Sequence, residues 1–507
     1  MTDELLLDAF EKHRAGALAD AALLYEQILA EDPDQVDALR LLASARRSLG
    51  QLPEALSLYA RALRLAPDHA DIWFNLGNAL SAAGREADAL ESYRRAAELQ
   101  PQNAEAHAHI GICLANRNDL AGAADAYRTA LALDPQNRIA IHNLGNVLSE
   151  MGEAEAAIRQ LRQAVSLYPD LAEAHYNLGL NLLRAGDFAG GFKAYEWRWR
   201  AEGFPATARH TEITDWDGRP FPGKRLLVHA EQGLGDTIQF VKLLPLVKSL
   251  GGEVILQVPD KLLRLLRDVA GADRVQSADP EPGEVDYQVP LLGVPHRLQL
   301  TLGSIPGAKA YLAADPDSVA RWRQKLALGN DRPVFGFVWR GNPLSPSDKG
   351  RSLKGPEALK PFAGLGHARL MALQKLEPEE IEPADTPSGY RVAGLDFTLE
   401  YPGPDFDAGP DAFIDTAAIL SQLSGFVSVC TAPLHLAGAL GVPSLALLKA
   451  VPDWRWGLRE KTSPWYPAMR LFRQPEPGDF ASAIAEAVGY FRAFPGKVGT
   501  GFPSGNA

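Results

Sequence analysis

Over roughly the first 200 residues the apolar positions recur at helical spacing. Trp73, Leu76, Gly77 and Leu80 line one stripe, and Ala89 and Tyr93 line the facing stripe of a second helix. The same two stripes return repeatedly, which predicts helix pairs that cover one another. From about Lys224 the rhythm changes to short apolar runs between amphipathic stretches. Residues 225–231 (RLLVHAE) and 253–258 (EVILQV) read as strands, and the turn Gly233-Leu234-Gly235 leads into a helix from Asp236. After a Gly/Pro-rich zone at 303–332 the alternation restarts, with strands predicted at 334–339 (VFGFVW), 369–373, 426–429 and 444–448, and a last helix over 480–491. Such alternation predicts parallel sheets sandwiched by helices. Its restart predicts two doubly wound units in tandem, with a cleft at the carboxyl ends of both sheets.

The first region also keeps a strict interval. Pro33, Pro67, Pro101, Pro135 and Pro169 stand 34 residues apart. Tyr25, Tyr59, Tyr93 and Tyr127 keep the same step, as do Ala21, Ala55, Ala89, Ala123 and Ala157. Gly50, Gly84, Gly152 and Gly186 keep it too, with Asn118 on the missing beat. This pattern resembles the tetratricopeptide repeat, a helix-turn-helix unit that stacks into an α-solenoid with a concave groove. Gly77, Gly111, Gly145 and Gly179 fall where two helices approach closely, and each proline falls just past a second helix. Five repeats reach about residue 171. A sixth has Tyr195 on the beat and Gly191 in place of alanine. The run Tyr195, Trp197, Trp199 after it reads as a hydrophobic seal against the next domain rather than a ligand-stacking platform.

A second pattern lies off the packing stripe. Asn75, Asn143 and Asn177 share one repeat position with His109, and Asn78 and Asn146 lie three residues further on. Asparagine is a mediocre helix former, so its recurrence needs a reason. A groove-facing amide grips an extended peptide through backbone hydrogen bonds; the competing reading is that these amides satisfy turn or interhelical groups. The pattern resembles the asparagine ladder of nucleocytoplasmic O-linked N-acetylglucosamine transferases, which implies a protein acceptor in the groove.

Length and composition narrow the class. A chain of 507 residues suits three to four domain-sized units. The formal net charge of −12 argues against nucleic-acid binding. Cys113 and Cys430 form no ligand-spaced pair, which suits a reducing compartment. The start, MTDELLLDAFEKHRAG, lacks a signal-peptide pattern. The apolar stretch 426–448 is interrupted by Pro433, His435, Gly438, Gly441 and Pro443, so it reads as buried strands and a helix, not a membrane span. A cytoplasmic address is the expectation. The domain reading is a solenoid over 1–200, a linker over 201–223, and Rossmann-like domains over 224–320 and 321–507.

Two loops at strand ends carry the candidate chemistry. In HAEQGLGDTIQF, Gly233 and Gly235 permit a tight turn onto a helix N-terminus, and Asp236 either caps that helix or faces the cleft as a general base. In SVCTAPLHLAGALGVP, Thr431 and Ala432 open a helix whose first turn holds His435. This is either an anion site in which Thr431 and His435 steady a donor phosphate, or an apolar helix with a satisfied core histidine. Together, Gly233 to Asp236 and Thr431 to Ala437 resemble the signature loops of heptosyltransferase-like, GT-B-fold glycosyltransferases. VWRGNP (338–343), LQK (373–375) and DWRW…SPWYP…LFRQ (453–474) resemble the branch of that group fused behind tetratricopeptide repeats.

The resemblance implies a GT-B fold and sugar transfer from a nucleotide-activated donor, CMP- or UDP-linked, with no metal and no resident cofactor. It implies Asp236 as base, with Gly233, Gly235, Thr431, Ala432 and His435 near the donor. Arg340 and Asn342, in a basic loop with Lys349, Arg351 and Lys354, and Gln374 with Lys375 at a later strand end, complete the expected donor set. The same basic charges are equally those of a solvated loop. Cys430 stands where the group usually has an acidic residue, which puts any donor contact through that carboxylate in doubt. Four D-x-D strings, at Asp32–Asp34, Asp215–Asp217, Asp315–Asp317 and Asp405–Asp407, are what an acidic chain yields by chance and are assigned no metal. The leading expectation is a transferase that modifies hydroxyls on a protein held in its own groove, flagellin being a candidate from the resemblance. The alternatives are a lipid-linked saccharide acceptor and a non-catalytic repeat scaffold.

Overall fold

The computed structural model describes residues 2–329, 332–343, 348–365 and 368–493. The chain divides into two compact units, Met1–Asn177 and Leu178–Ala507.

In the first unit the 34-residue interval becomes five antiparallel helix pairs: α1 (Thr2–Arg14) with α2 (Leu18–Glu31), α3 (Val36–Ser48) with α4 (Leu52–Leu65), α5 (Ala70–Ala82) with α6 (Glu86–Leu99), α7 (Ala104–Asn116) with α8 (Leu120–Leu133), and α9 (Arg138–Glu150) with α10 (Ala154–Leu167). Tyr25, Tyr59, Tyr93 and Tyr127 are buried where the helices of a pair meet. Tyr93 and Tyr127 each face a glycine at close range: a Cβ on Gly77 would lie 2.6 Å from Tyr93 Cε1, and one on Gly111 2.5 Å from Tyr127 Cε1. Between the helices of a pair the chain turns through the left-handed region. Gly50, Gly84 and Gly152 stand at φ 77°, 72° and 80°, and Asn118 takes the same role at φ 63°. Asparagine tolerates that region better than other side chains, which explains why it fills the missing beat.

The sixth repeat supplies α11 (Ala172–Arg184), within which the two units divide, and α12 (Phe188–Tyr195). The boundary between the compact units falls at 177, so α12 counts with the second unit. Phe188 stacks on Trp465 with centroids 5.8 Å apart, and Phe192 meets Trp454 edge-on at 5.6 Å. The expected seal is thus made by Phe188, Phe192 and the buried Tyr195, whereas Trp197 and Trp199 stay partly exposed beneath Arg200 and Arg198. The Arg198 guanidinium is fully buried and pairs with Glu231 at 2.9 Å.

The second unit is α/β with two parallel sheets. The first holds β1 (Arg225–His229), β2 (Glu253–Gln257), β3 (Arg274–Gln276) and β4 (Tyr287–Pro290) in the order β3-β2-β1-β4. The second holds β5 (Val334–Val338), β6 (Arg369–Ala372), β9 (Gly425–Val429), β10 (Ser444–Leu448) and β11 (Met469–Arg473) in the order β11-β10-β9-β5-β6, with an antiparallel pair, β7 (Ile381–Pro383) and β8 (Tyr390–Val392), beside it. All ladders within the two main sheets are parallel. The six predicted strands are all present. β3, β4, β7 and β8 escape prediction because three or four residues carry no periodicity, and β11 because its Arg470 and Arg473 interrupt the apolar run. The stretch 426–448 forms β9, a helix over Ala432–Ala439 and β10, as expected. Among the described residues no helix is long and apolar enough to cross a membrane.

Candidate active site

β1 ends at His229, and the chain turns through Gly233 into a short helix, Leu234–Phe240. Asp236 is held through both carboxylate oxygens. One carboxylate oxygen accepts from the Gly233 N–H at 3.0 Å, capping the helix, and the other accepts from the guanidinium of Arg455. Arg455 is buried, lies over the Trp454 ring at 4.5 Å, and donates also to Gln239 at 2.6 Å and Asp453 at 2.9 Å. The Asp236 side chain keeps 23% exposure. Burial pushes its pKa up, and the Asp453 charge adds to this, while Arg455 pulls the other way.

β9 ends at Val429, and Cys430 and Thr431 lead into the helix Ala432–Ala439. This second loop meets the first: a Cβ on Gly235 would stand 3.1 Å from His435 Cδ2 and 3.3 Å from Ala432 Cα. The glycine permits the approach of two segments from different sheets. His435 does not look into an open gap. It is 6% exposed, stacked on Trp456 at 5.4 Å, with Nδ1 2.8 Å from the Tyr466 hydroxyl. Burial lowers its pKa to about 3, and Arg455 and Arg351 act in the same direction, so the ring is neutral at pH 7. It can exchange hydrogen bonds but cannot offer a positive charge to a leaving group.

Thr431 turns its hydroxyl back to the Val429 carbonyl at 3.3 Å and to Ser428 at 3.1 Å, not to the helix N–H groups. The Cys430 sulfur accepts from the Trp456 indole N–H at 3.1 Å, and burial pushes the thiol up to about 11. Position 430 therefore carries a neutral group. Among the residues expected at a donor, the Arg340 backbone N–H donates to Gln374 Oε1 at 3.2 Å and its guanidinium pairs with Glu380 at 2.7 Å, tying the carboxyl ends of β5 and β6 together. Arg351 pairs with Asp348 at 3.3 Å. Asn342 and Lys375 are exposed. Residues 344–347 of the basic loop lie outside the described residues.

The sequence reading did not assign Arg455, Asp453, Trp456 or Tyr466 a role, although three of them fall in the quoted DWRW run and the fourth in SPWYP. It also passed over Lys242, which is buried, donates to the Trp465 carbonyl at 2.6 Å, and has its pKa lowered to about 8 by burial. For the first four the signal was the quoted stretch itself, dense in tryptophan and arginine.

The solenoid asparagines are largely engaged within the repeats. Asn75 donates to its own helix at the Asp71 carbonyl, 2.8 Å away, and Asn78 accepts from the Tyr93 hydroxyl at 2.8 Å. The Asn146 and Asn177 amides lie 3.0 and 3.1 Å from His142 Nε2, and His109 stacks on Tyr93 at 5.0 Å. The Asn143 side chain is half-buried and makes no hydrogen bond among the described residues.

Residues 14–70, 40–104 and 74–138 match a family model described as tetratricopeptide repeat, and 145–186 match another described as TPR repeat. Protein FlbA of Caulobacter vibrioides (strain ATCC 19089 / CIP 103742 / CB 15) is 27% identical over 338 residues, covering 63% of this chain and 53% of FlbA. The chain spans about half the length of that curated relative. Among solved structures, MamA is 26% identical over 31% of this chain and 91% of its own, with a TM-score of 0.30. YrrB, described as a TPR protein with an unusual peptide-binding site, is 25% identical over 34% of this chain and 88% of its own, with a TM-score of 0.30. The N-terminal region, to about residue 190, is a tetratricopeptide solenoid, an architecture that binds other proteins.

Proposed function

We propose that the chain is a glycosyltransferase of GT-B type that moves a sugar from a nucleotide-activated donor to hydroxyls of a protein bound by its repeats. One observation carries this reading: Gly235 brings the Asp236 loop against Ala432 and His435, so the carboxyl edges of two parallel sheets converge on one carboxylate and one imidazole. Ligands of open α/β sheets bind at such edges. Asp236, with its raised pKa and partial exposure, is the base that takes the acceptor proton. His435, neutral, orients through Tyr466 and donates or accepts a hydrogen bond. Arg340, Arg351 and Lys375 supply positive charge for donor phosphates, and no metal step is invoked. The solenoid supports a protein acceptor; flagellin as acceptor rests on the family resemblance alone, and a cytoplasmic setting on the two cysteines that form no ligand-spaced pair and the lack of a signal-peptide pattern.

A non-catalytic scaffold is favoured by a different observation, that Asp236 is already bonded on both oxygens and His435 is closed off. One experiment separates the two. The full chain is titrated with CMP, UDP and their sugar conjugates while its melting temperature is followed, and proteins co-purified from its native cell are weighed intact. A nucleotide-dependent rise in melting temperature with added sugar mass on a partner supports the transferase. Absence of both supports the scaffold.

A further inference from the structure

Asp236 and Arg455 lie 219 residues apart, on loops from different sheets, yet the carboxylate of one is bonded to the guanidinium of the other. A helix cap needs only one carboxylate oxygen, and Gly233 already takes it. Nor does Arg455 need Asp236 for neutrality, since Asp453 pairs with it at 2.9 Å. The third bond, from Nε to Gln239, fixes the plane of the guanidinium, and Trp454 covers its face. Arg455 is therefore held in place by partners other than Asp236, and it presents its remaining Nη2 to that carboxylate.

We infer that Arg455 is a positioning residue for the general base: carried by the second sheet's half, it orients and holds ionised the carboxylate carried by the first. The base is then complete only while the two halves are together. This rests on the reading of Asp236 as base. The groups that act on Asp236 are Arg455 and Asp453 from the segment after β10 and Tyr466 from the segment before β11, while His435, from the helix after β9, packs against the neighbouring Gly235. His435 is neutral and Tyr466 protonated near pH 7, so Arg455 and Asp453 are the charges that act, in opposite senses. Removing Arg455 leaves Asp453 alone beside Asp236 and favours the protonated, inactive acid.

The test uses the full chain with a nucleotide-sugar and its protein acceptor, comparing wild type, R455K, R455M and D236N. R455M is expected to lower kcat by about 10-fold or more, with donor KM changed less than about 3-fold, because a misplaced base loses transition-state stabilisation rather than binding. The acidic limb of its pH–rate profile moves to higher pH, and R455K restores the limb. A parallel cycle of melting temperatures with D236N, R455M and the double variant is expected to be non-additive at neutral pH. An unmoved limb in R455M, or an additive cycle, overturns the role of Arg455 while leaving the transferase standing. No transfer by wild type, or full transfer by D236N, sinks the reading of Asp236 as base instead.

Discussion

Gly235 and His435 belong to loops of different sheets and touch, the would-be methyl of Gly235 lying 3.1 Å from the imidazole Cδ2. Substitution by a β-branched residue must push the loops apart, because Ala432 backbone stands 3.3 Å away on the same side. Gly235→Val is expected to cost about 1–3 kcal/mol of stability and to abolish any melting shift produced by nucleotide. Chemical denaturation with and without nucleotide measures both.

Asp236→Asn keeps the shape of the cap and removes the proposed base. Transfer is expected to fall by about 10²–10⁴-fold, with the nucleotide-induced melting shift nearly intact. Single-turnover assays of intact acceptor mass read the first quantity, and thermal scans the second.

Two buried histidines set an acid limb to stability. Burial lowers His229 to about 4 and His435 to about 3, against an unfolded value of about 6.5. Below that unfolded value the unfolded chain binds protons that the folded chain refuses. Stability is therefore full at neutral pH and falls as pH drops from about 6.5 toward 4. His435→Asn and His229→Gln are each expected to flatten this slope in melting temperature between pH 7 and 4.5.

The solenoid glycines separate two physical roles. Gly111→Ala places a methyl 2.5 Å from Tyr127 Cε1 and is expected to cost about 1–3 kcal/mol through overpacking. Gly50→Ala meets nothing within 4 Å but keeps φ at +77°, and should cost about 1–2 kcal/mol through backbone strain alone. Tyr127→Ala removes the ring that the methyl meets, so its cost and that of Gly111→Ala are expected to be non-additive, whereas Gly50→Ala adds to either, which urea unfolding distinguishes.

The asparagines divide in the same way. Asn78→Ala strips the Tyr93 hydroxyl of its acceptor and should lower stability by about 1–3 kcal/mol. Asn143→Ala breaks no bond within the described residues, so it should leave the melting temperature unchanged and weaken acceptor binding. Titration of an acceptor peptide against both variants checks the contrast.

The solenoid was legible in the sequence because its determinants are local: a helix pair, its tight glycine and its left-handed turn all lie within one 34-residue interval. Asn118 at φ 63° was readable for the same reason, as was the alternation that placed β1, β2, β5, β6, β9 and β10. The loops around Asp236 and His435 could be named from their residues. Their contact, the closure of His435 by Trp456 and Tyr466, and the bond from Arg455 to Asp236 were decided only by the tertiary structure. Those pairings join residues that share no periodicity, and they depend on which strand ends the parallel topology sets side by side. The same limit applied to the asparagines: their spacing announced a common face, while the reach of Tyr93 and His142 decided how much of each amide was left for a partner.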